Sequence, residues 1–218
     1  MEISPCPTDK LSLRRGASAA SFRMIVLVTA VEERVTRRSA GKAGTVDAGD
    51  VWLWRAALVF ALAVLVHNSD HLRRGADVLS ADLFWLGTLG ILLEVAIVIV
   101  ICARHRYAPL AALVGGVVLA SGYVEAHFLP AHRWFSDSFT NAVHVSPLSW
   151  FAASLEVAAA TGLAIVGLMV LRRRGGGLRA LGAPHPEQRT LAAAVTDPLV
   201  LAFTACQVVI LVISFAQR

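Results

Sequence analysis

The polar stretch His67-Asn68-Ser69-Asp70-His71-Leu72-Arg73-Arg74-Gly75 follows directly on an apolar run from Ala56 to Val66. The run is too short to cross a bilayer alone, because a membrane-spanning helix needs about 20 apolar residues. From Arg55, which suits a membrane boundary, His67 is 12 residues away, or about 18 Å of helix, whereas the hydrocarbon core is about 30 Å thick. We therefore expect the helix to continue through His67, Asp70 and His71 while it is still at membrane depth.

The composition places the chain in the membrane class. Of its 218 residues, 56% are hydrophobic and only 16% are charged, whereas soluble domains carry about a quarter charged residues. The formal net charge of +5 does not indicate a nucleic-acid partner, because most Lys and Arg residues lie in three segments before or between the apolar runs. The three cysteines are isolated and form no CxxC pair, so neither a zinc ribbon nor a redox dithiol is indicated.

The sequence predicts an all-α, polytopic membrane helix bundle of about five transmembrane helices behind a disordered N-terminal tail. Residues 1–50 are basic and mix Ser, Gly, Thr and Pro without a sustained period, and Met24 within them is an alternative translation start. The spans are expected near residues 51–71, 83–103, 108–128, 147–171 and 191–216. In the last span, Asp197-Pro198 marks either the beginning of the apolar helix or a kink.

The distribution of Lys and Arg predicts the orientation. The tail up to Arg55 holds nine, the turn at 104–106 two and the loop at 172–189 five, whereas the opposite side holds four, including Arg73 and Arg74. Under the positive-inside rule, the N-terminus is then cytoplasmic and the C-terminus is outside. We expect a multi-pass protein of the cell membrane, and the Ala-, Arg- and Val-rich composition favours a bacterial inner membrane.

The ionisable residues inside the spans fall at similar depths. Glu94 lies near the middle of the second span, and Glu156 lies about 14 Å into the fourth. Placing an ionisable side chain in the hydrocarbon core of a membrane is energetically unfavourable, so such residues usually face the interior of a bundle and pair with one another there. Imidazole with carboxylate suits zinc, iron or manganese, and bundle-core sites draw Glu and His from facing helices. The candidate metal ligands are His67, His71, Glu94, Glu125, His127 and Glu156.

Three further residues are candidates for a supporting role around these ligands. Asp70 is expected to orient a histidine through the second nitrogen of its ring. His132 and His144 lie in the connection above the site. Haem is the alternative cofactor to a transition metal ion, because histidine serves as its axial ligand too.

Two other functions remain open on the sequence alone. In a proton-coupled small transporter, Glu94 and Glu156 would form a relay and His67 would switch near neutral pH. In a non-catalytic subunit of a larger membrane complex, the polar groups would meet a neighbouring chain. The sequence contains no Walker loop, GxSxG or HExxH, so whether the protein is an enzyme stays open. The expected partner is the lipid bilayer, with a homo-oligomer or a membrane complex as further options.

Overall fold

Helices make up most of the chain that the computed structural model describes, which comprises residues 47–75, 79–130, 136–175 and 188–218. Strands are absent from these ranges. The predicted N-terminal tail lies outside the described residues except for 47–50, and His132 also lies outside them. The prediction of an all-α bundle with about five spans is confirmed.

Helix α1, Ala48–Arg74, contains the polar stretch that follows the first apolar run. Asp47 caps its first turn by accepting a hydrogen bond from the Gly49 amide at 3.0 Å. The helix ends at Gly75, whose φ of +93° is costly for residues with a side chain and whose amide donates to the His71 carbonyl. The polar stretch is therefore helical, as the length of the apolar run predicts.

The next two helices form an antiparallel pair. Helix α2 is Ala81–Cys102, and its cap Ser80 accepts from the Leu83 amide. Helix α3 is Ala108–Tyr123, and it continues into a π-helical turn, Val124–Phe128. The turn ends at Leu129, whose backbone is extended, as is usual before a proline.

Helix α4, Pro147–Arg173, begins with a capping box between Ser146 and Ser149. The predicted last span, 191–216, is divided into a short helix α5, Leu191–Val195, and helix α6, Pro198–Ala216. The division falls at Asp197, whose side chain accepts from the Leu199 amide and starts α6. Asp197-Pro198 is thus the beginning of the apolar helix.

Five helices are long and apolar enough to cross a bilayer: Ala48–Arg74, Ala81–Cys102, Ala108–Phe128, Pro147–Arg173 and Pro198–Ala216. Their outer faces expose large apolar side chains, such as Leu89 at 62% and Val212 at 63%. Leaving such a side chain in water forgoes about 1.5–3 kcal/mol, a cost that lipid removes. The fold is that of a multi-pass membrane protein.

The closest helix pair is α3 with α4, which pack backbone against backbone. A Cβ at Gly116 would lie 2.5 Å from the Ala160 carbonyl oxygen, and one at Gly167 would lie 2.6 Å from the Leu113 amide nitrogen. Small residues therefore allow the two helices to approach, as is common between membrane helices. The contact fixes the position of Glu156 on α4 relative to the π-helical turn that ends α3.

Candidate functional site

Helix α1 presents two histidines that meet each other. His67 and His71 are one turn apart, and their Nε2 atoms are 3.0 Å apart. The rings meet edge to face, with centroids 4.6 Å apart. His67 is buried and His71 is half-buried. Both rings thus direct the same nitrogen to one point near the end of α1.

The third histidine comes from the π-helical turn. Its ring centroid is 4.7 Å from that of His67 and 5.6 Å from that of His71. One nitrogen from each of His67, His71 and His127 lies within 4.8 Å of the other two. We call these three residues the histidine cluster. A π-helical turn holds one more residue than an α-helical turn, and such turns are frequent at functional sites.

The chain after the π-helical turn closes over the histidine cluster. The amides of Asp137 and Phe139 donate to the carbonyls of Ala126 and His127, each at 3.0 Å. The Asp137 carboxylate forms a bidentate, buried ion pair with Arg74, at 2.6 and 2.8 Å. One of its oxygens is 3.6 Å from His127 Nδ1. Asp137 therefore ties this segment to α1 and faces the outer nitrogen of a cluster histidine.

A carboxylate from α4 extends the cluster. Glu156 Oε2 is 3.5 Å from His67 Nε2, and the Glu156 side chain is only 1% exposed. This oxygen has no hydrogen-bond partner among the described residues, and the same is true of Nδ1 of His67 and of His71. An unpaired buried polar atom costs about 1–3 kcal/mol. Of these atoms, Glu156 Oε2 faces the point where the two Nε2 atoms meet, so a ligand there would gain a polar contact that the protein leaves unmade.

Glu94 approaches the cluster through a chain of polar side chains. The Tyr123 hydroxyl donates to Glu94 Oε1 at 2.6 Å and also interacts with Glu156. The Gln207 amide donates to Glu94 Oε2 at 3.3 Å and accepts from Asn68 at 3.0 Å. Five of the helices, α1 to α4 and α6, thus contribute to one connected polar network in the middle of an apolar bundle. Networks of this kind are stable only when their members satisfy one another.

The other predicted site residues are placed differently. Glu125 is half-buried on the π-helical turn and does not join the histidine cluster. Asp70 pairs with Arg73 at 2.8 Å, and the carboxylate that faces the outer nitrogen of His127 is that of Asp137, at 3.6 Å. The His144 side chain is exposed, and its carbonyl accepts from Arg73 at 3.1 Å. His132 lies outside the described residues.

Five residues of the site were not predicted from the sequence: Asn68, Arg74, Tyr123, Asp137 and Gln207. Two of them carry a signal that could have been used. Gln207 is an amide in the middle of an apolar span, where polar groups need partners. Tyr123 lies four residues before His127, which is the spacing of neighbours on a helix. Asp137 carries no such signal because it lies in an irregular connection.

The donor set fits a metal ion. Tetrahedral zinc with bonds of about 2.0–2.1 Å places its ligand atoms about 3.4 Å apart; the His67 and His71 nitrogens, 3.0 Å apart, are near this spacing, and separations up to the 4.8 Å limit of the cluster would shorten by about 1.4 Å. Three histidines leave a fourth position open, which is the arrangement of catalytic zinc sites. Fold and site together define a multi-pass membrane helix bundle with a buried histidine cluster. No family model, curated protein or solved structure compared with the chain matches it.

Proposed function

We propose that the protein is a multi-pass membrane protein that binds a divalent transition metal ion through His67, His71 and His127, with Glu156 beside it. The observation that carries the proposal is the convergence of three imidazole nitrogens within 4.8 Å at a buried position. An ion bound there would replace the hydrogen bond between His67 and His71 and accept a lone pair from Nε2 of each ring. It would also balance the negative charge of an ionised Glu156, which is otherwise unfavourable inside a bundle.

The geometry favours an ion over haem. Two axial histidines of a haem lie on opposite faces of a flat macrocycle, whereas the His67 and His71 nitrogens are only 3.0 Å apart. No planar group fits between rings at this spacing. Among the candidate metals, zinc is the first to test, because three imidazoles with an open fourth position suit it; iron and manganese follow.

Metal analysis of the purified protein tests this proposal. Wild-type protein, exposed to zinc and then dialysed, should retain about one ion per chain. His67→Ala should lower the affinity at least about tenfold, because even the loss of an outer partner of a ligand costs this much. His144→Asn is the matched control, since it removes an exposed histidine outside the cluster and asparagine tolerates the positive φ of 58°. Wild-type protein without metal, or equal metal in His67→Ala, contradicts the proposal.

The orientation follows the distribution of Lys and Arg. We propose a protein of the cell membrane with a cytoplasmic N-terminus and an external C-terminus, which places the histidine cluster in the outer half of the bundle. Fusions at Arg218 to alkaline phosphatase and to a fluorescent protein that is dark outside the cytoplasm test this. Active phosphatase with a dark fluorescent fusion supports the orientation, and the reverse pattern contradicts it.

A second candidate is a proton-coupled transporter, and Tyr123 favours it. Its hydroxyl links Glu94 to Glu156, so a chain of protonatable groups runs from Glu94 on α2 to the histidine cluster. Buried carboxyl chains of this type mark proton pathways in membrane proteins. In liposomes with a pH gradient, Glu94→Gln should abolish proton flux while retaining the metal. Flux that Glu94→Gln leaves unchanged would exclude the relay.

A further inference from the structure

A cavity of about 380 Å³ lies beside the histidine cluster, between α2, α3 and α6. This is the size of pockets that hold small-molecule ligands. Most of its wall is apolar, for example Leu86, Leu89 and Ile91 of α2 and Leu211 of α6. One end is polar and is formed by the cluster together with Glu94 and Glu156. The cavity thus has the form of a site for an amphiphile.

The mouth of the cavity faces the region where lipid would lie. The most exposed residues of its wall belong to α2 and α3 and include Leu89 at 62% and Val118 at 54%. Gly90 and Gly122 lie on the same two helices, and a Cβ on either would meet nothing within 4 Å. The exposed part of the cavity wall therefore lies on α2 and α3, on the side that would face the bilayer.

Three buried side chains close the end of the bundle near the histidine cluster. Arg74, Asp137 and Phe139 are each at most 6% exposed. The Phe139 ring stacks 4.8 Å from that of His127, and the Arg74 guanidinium lies 5.3 Å from the centroid of Phe139. Among the described residues, these groups cover His127 from the side of the connecting loop. A ligand therefore reaches the cluster more readily from the bilayer than along the bundle axis.

The charge of the wall limits the kind of amphiphile. The described residues that line the cavity include no Lys or Arg, and they include two carboxyl groups, those of Glu94 and Glu156. A phosphate or carboxylate head would meet two acids and no side chain with a permanent positive charge, which is unfavourable at membrane depth. A hydroxyl is neutral and can both donate and accept. Glu156 Oε2, buried and without a hydrogen-bond partner, is an acceptor at the position such a hydroxyl would reach.

We propose that the cavity binds an uncharged, single-chain lipid with a terminal hydroxyl. The lipid enters between α2 and α3, its chain occupies the apolar wall, and its hydroxyl reaches Glu156 and the histidine cluster. The inference rests on the proposed function only in that the hydroxyl would meet the metal site there. The cavity and its mouth do not depend on the metal, and the wall charge described above is that of the metal-free protein.

Photolabelling tests the proposal with the full chain in phosphatidylcholine vesicles. The probe is a hexadecanol analogue with a diazirine in its chain, and mass spectrometry locates the labelled peptides. We expect labels within 86–94 and 118–126, and we expect unlabelled hexadecanol to compete better than palmitic acid. Labels spread over the lipid-facing surface, or equal competition by palmitic acid, would overturn the proposal.

Variants that fill the mouth of the cavity provide a second test of the lipid site. In a Gly90→Leu/Gly122→Leu double variant, cavity labelling should fall below about a tenth of the wild-type level, because the new side chains occupy the space of the lipid chain. Leucine is a better helix former than glycine, so folding should be retained. Gly162→Leu is the matched control: it lies on α4 outside the cavity, also has open space at its Cβ, and should label as wild type. Undiminished labelling of the double variant would overturn the proposal.

Metal content is measured on the same samples, so the proposed metal site and the proposed lipid site can be contradicted independently of each other. Diffuse labelling of protein that contains metal overturns the lipid inference alone. Confined labelling of wild-type protein that binds no metal supports the lipid inference and contradicts the proposed function.

Discussion

Nε2 of His67 lies 3.0 Å from Nε2 of His71, although both atoms belong to the same helix. Two neutral imidazoles at this distance share one proton, so one nitrogen donates and the other accepts. The proton is held where a metal ion would be held, so metal binding would shift it to Nδ1 of the same ring, because a neutral imidazole that binds a metal through Nε2 carries its proton on Nδ1. The pair supplies two of the three histidines of the cluster, and His127 supplies the third from the π-helical turn.

Zinc should stabilise the folded protein through this set. At a free concentration of one hundred times its dissociation constant, a ligand of the folded state adds about 2.7 kcal/mol to the free energy of unfolding. His127→Ala removes one of the three ligands, so zinc should shift its melting temperature far less than that of wild type. Thermal unfolding in detergent, with and without zinc, measures the difference. An equal shift in both proteins would show that zinc acts elsewhere, and His144→Asn should respond as wild type.

The ion pair between Arg74 and Asp137 should carry much of the stability of the closed end. Breaking a buried pair costs about 3–5 kcal/mol, because one charge remains buried without its partner. Asp137→Asn should lower the free energy of unfolding by this amount, and it should weaken zinc binding about 10–100-fold because Asp137 faces His127 Nδ1.

Denaturant unfolding and zinc titration check both effects. Arg172→Met is the control, because Arg172 is exposed and should change stability by less than about 0.5 kcal/mol. An Asp137→Asn protein as stable as wild type would show that the pair is not buried in the membrane-embedded protein.

Two glycines of α4 should respond oppositely to the same substitution. Gly167→Ala places a methyl group 2.6 Å from the backbone of α3, and overpacking of this kind costs about 1–3 kcal/mol. Gly162→Ala places it in open space, where alanine stabilises a helix by up to about 1 kcal/mol. Melting temperatures of the two variants in one detergent test the contrast. Equal effects would contradict the close contact of α3 and α4.

Tyr123 should support the network without holding the metal. Tyr123→Phe removes the hydroxyl that donates to Glu94 at 2.6 Å, which leaves a buried carboxyl with fewer partners. We expect a loss of about 1–3 kcal/mol in the free energy of unfolding and an unchanged zinc stoichiometry. Loss of zinc in Tyr123→Phe would place the tyrosine among the ligands.

The class of fold follows from the sequence because span length and apolarity are set by the bilayer and not by tertiary contacts. Depth arguments also place His67 and Glu156 at a similar level, and the structure brings them within 3.5 Å. The depth of a residue in the membrane does not predict towards which neighbour its side chain points. That direction depends on the rotation of the helix about its axis, and it is the reason that His127 and not Glu125 joins the cluster. The position of Asp137 depends on how an aperiodic connection folds back, and no local pattern encodes this.

The π-helical turn separates two requirements that the same span must meet. Crossing the bilayer depends on the number of residues from Ala108 to Phe128, which is 21. Forming the site depends on the single surplus residue within Val124–Phe128. Removing one residue from this turn would leave a span of ample length but rotate everything beyond it by about 100°. The protein would then still insert as a five-helix bundle while its third histidine pointed away from the other two.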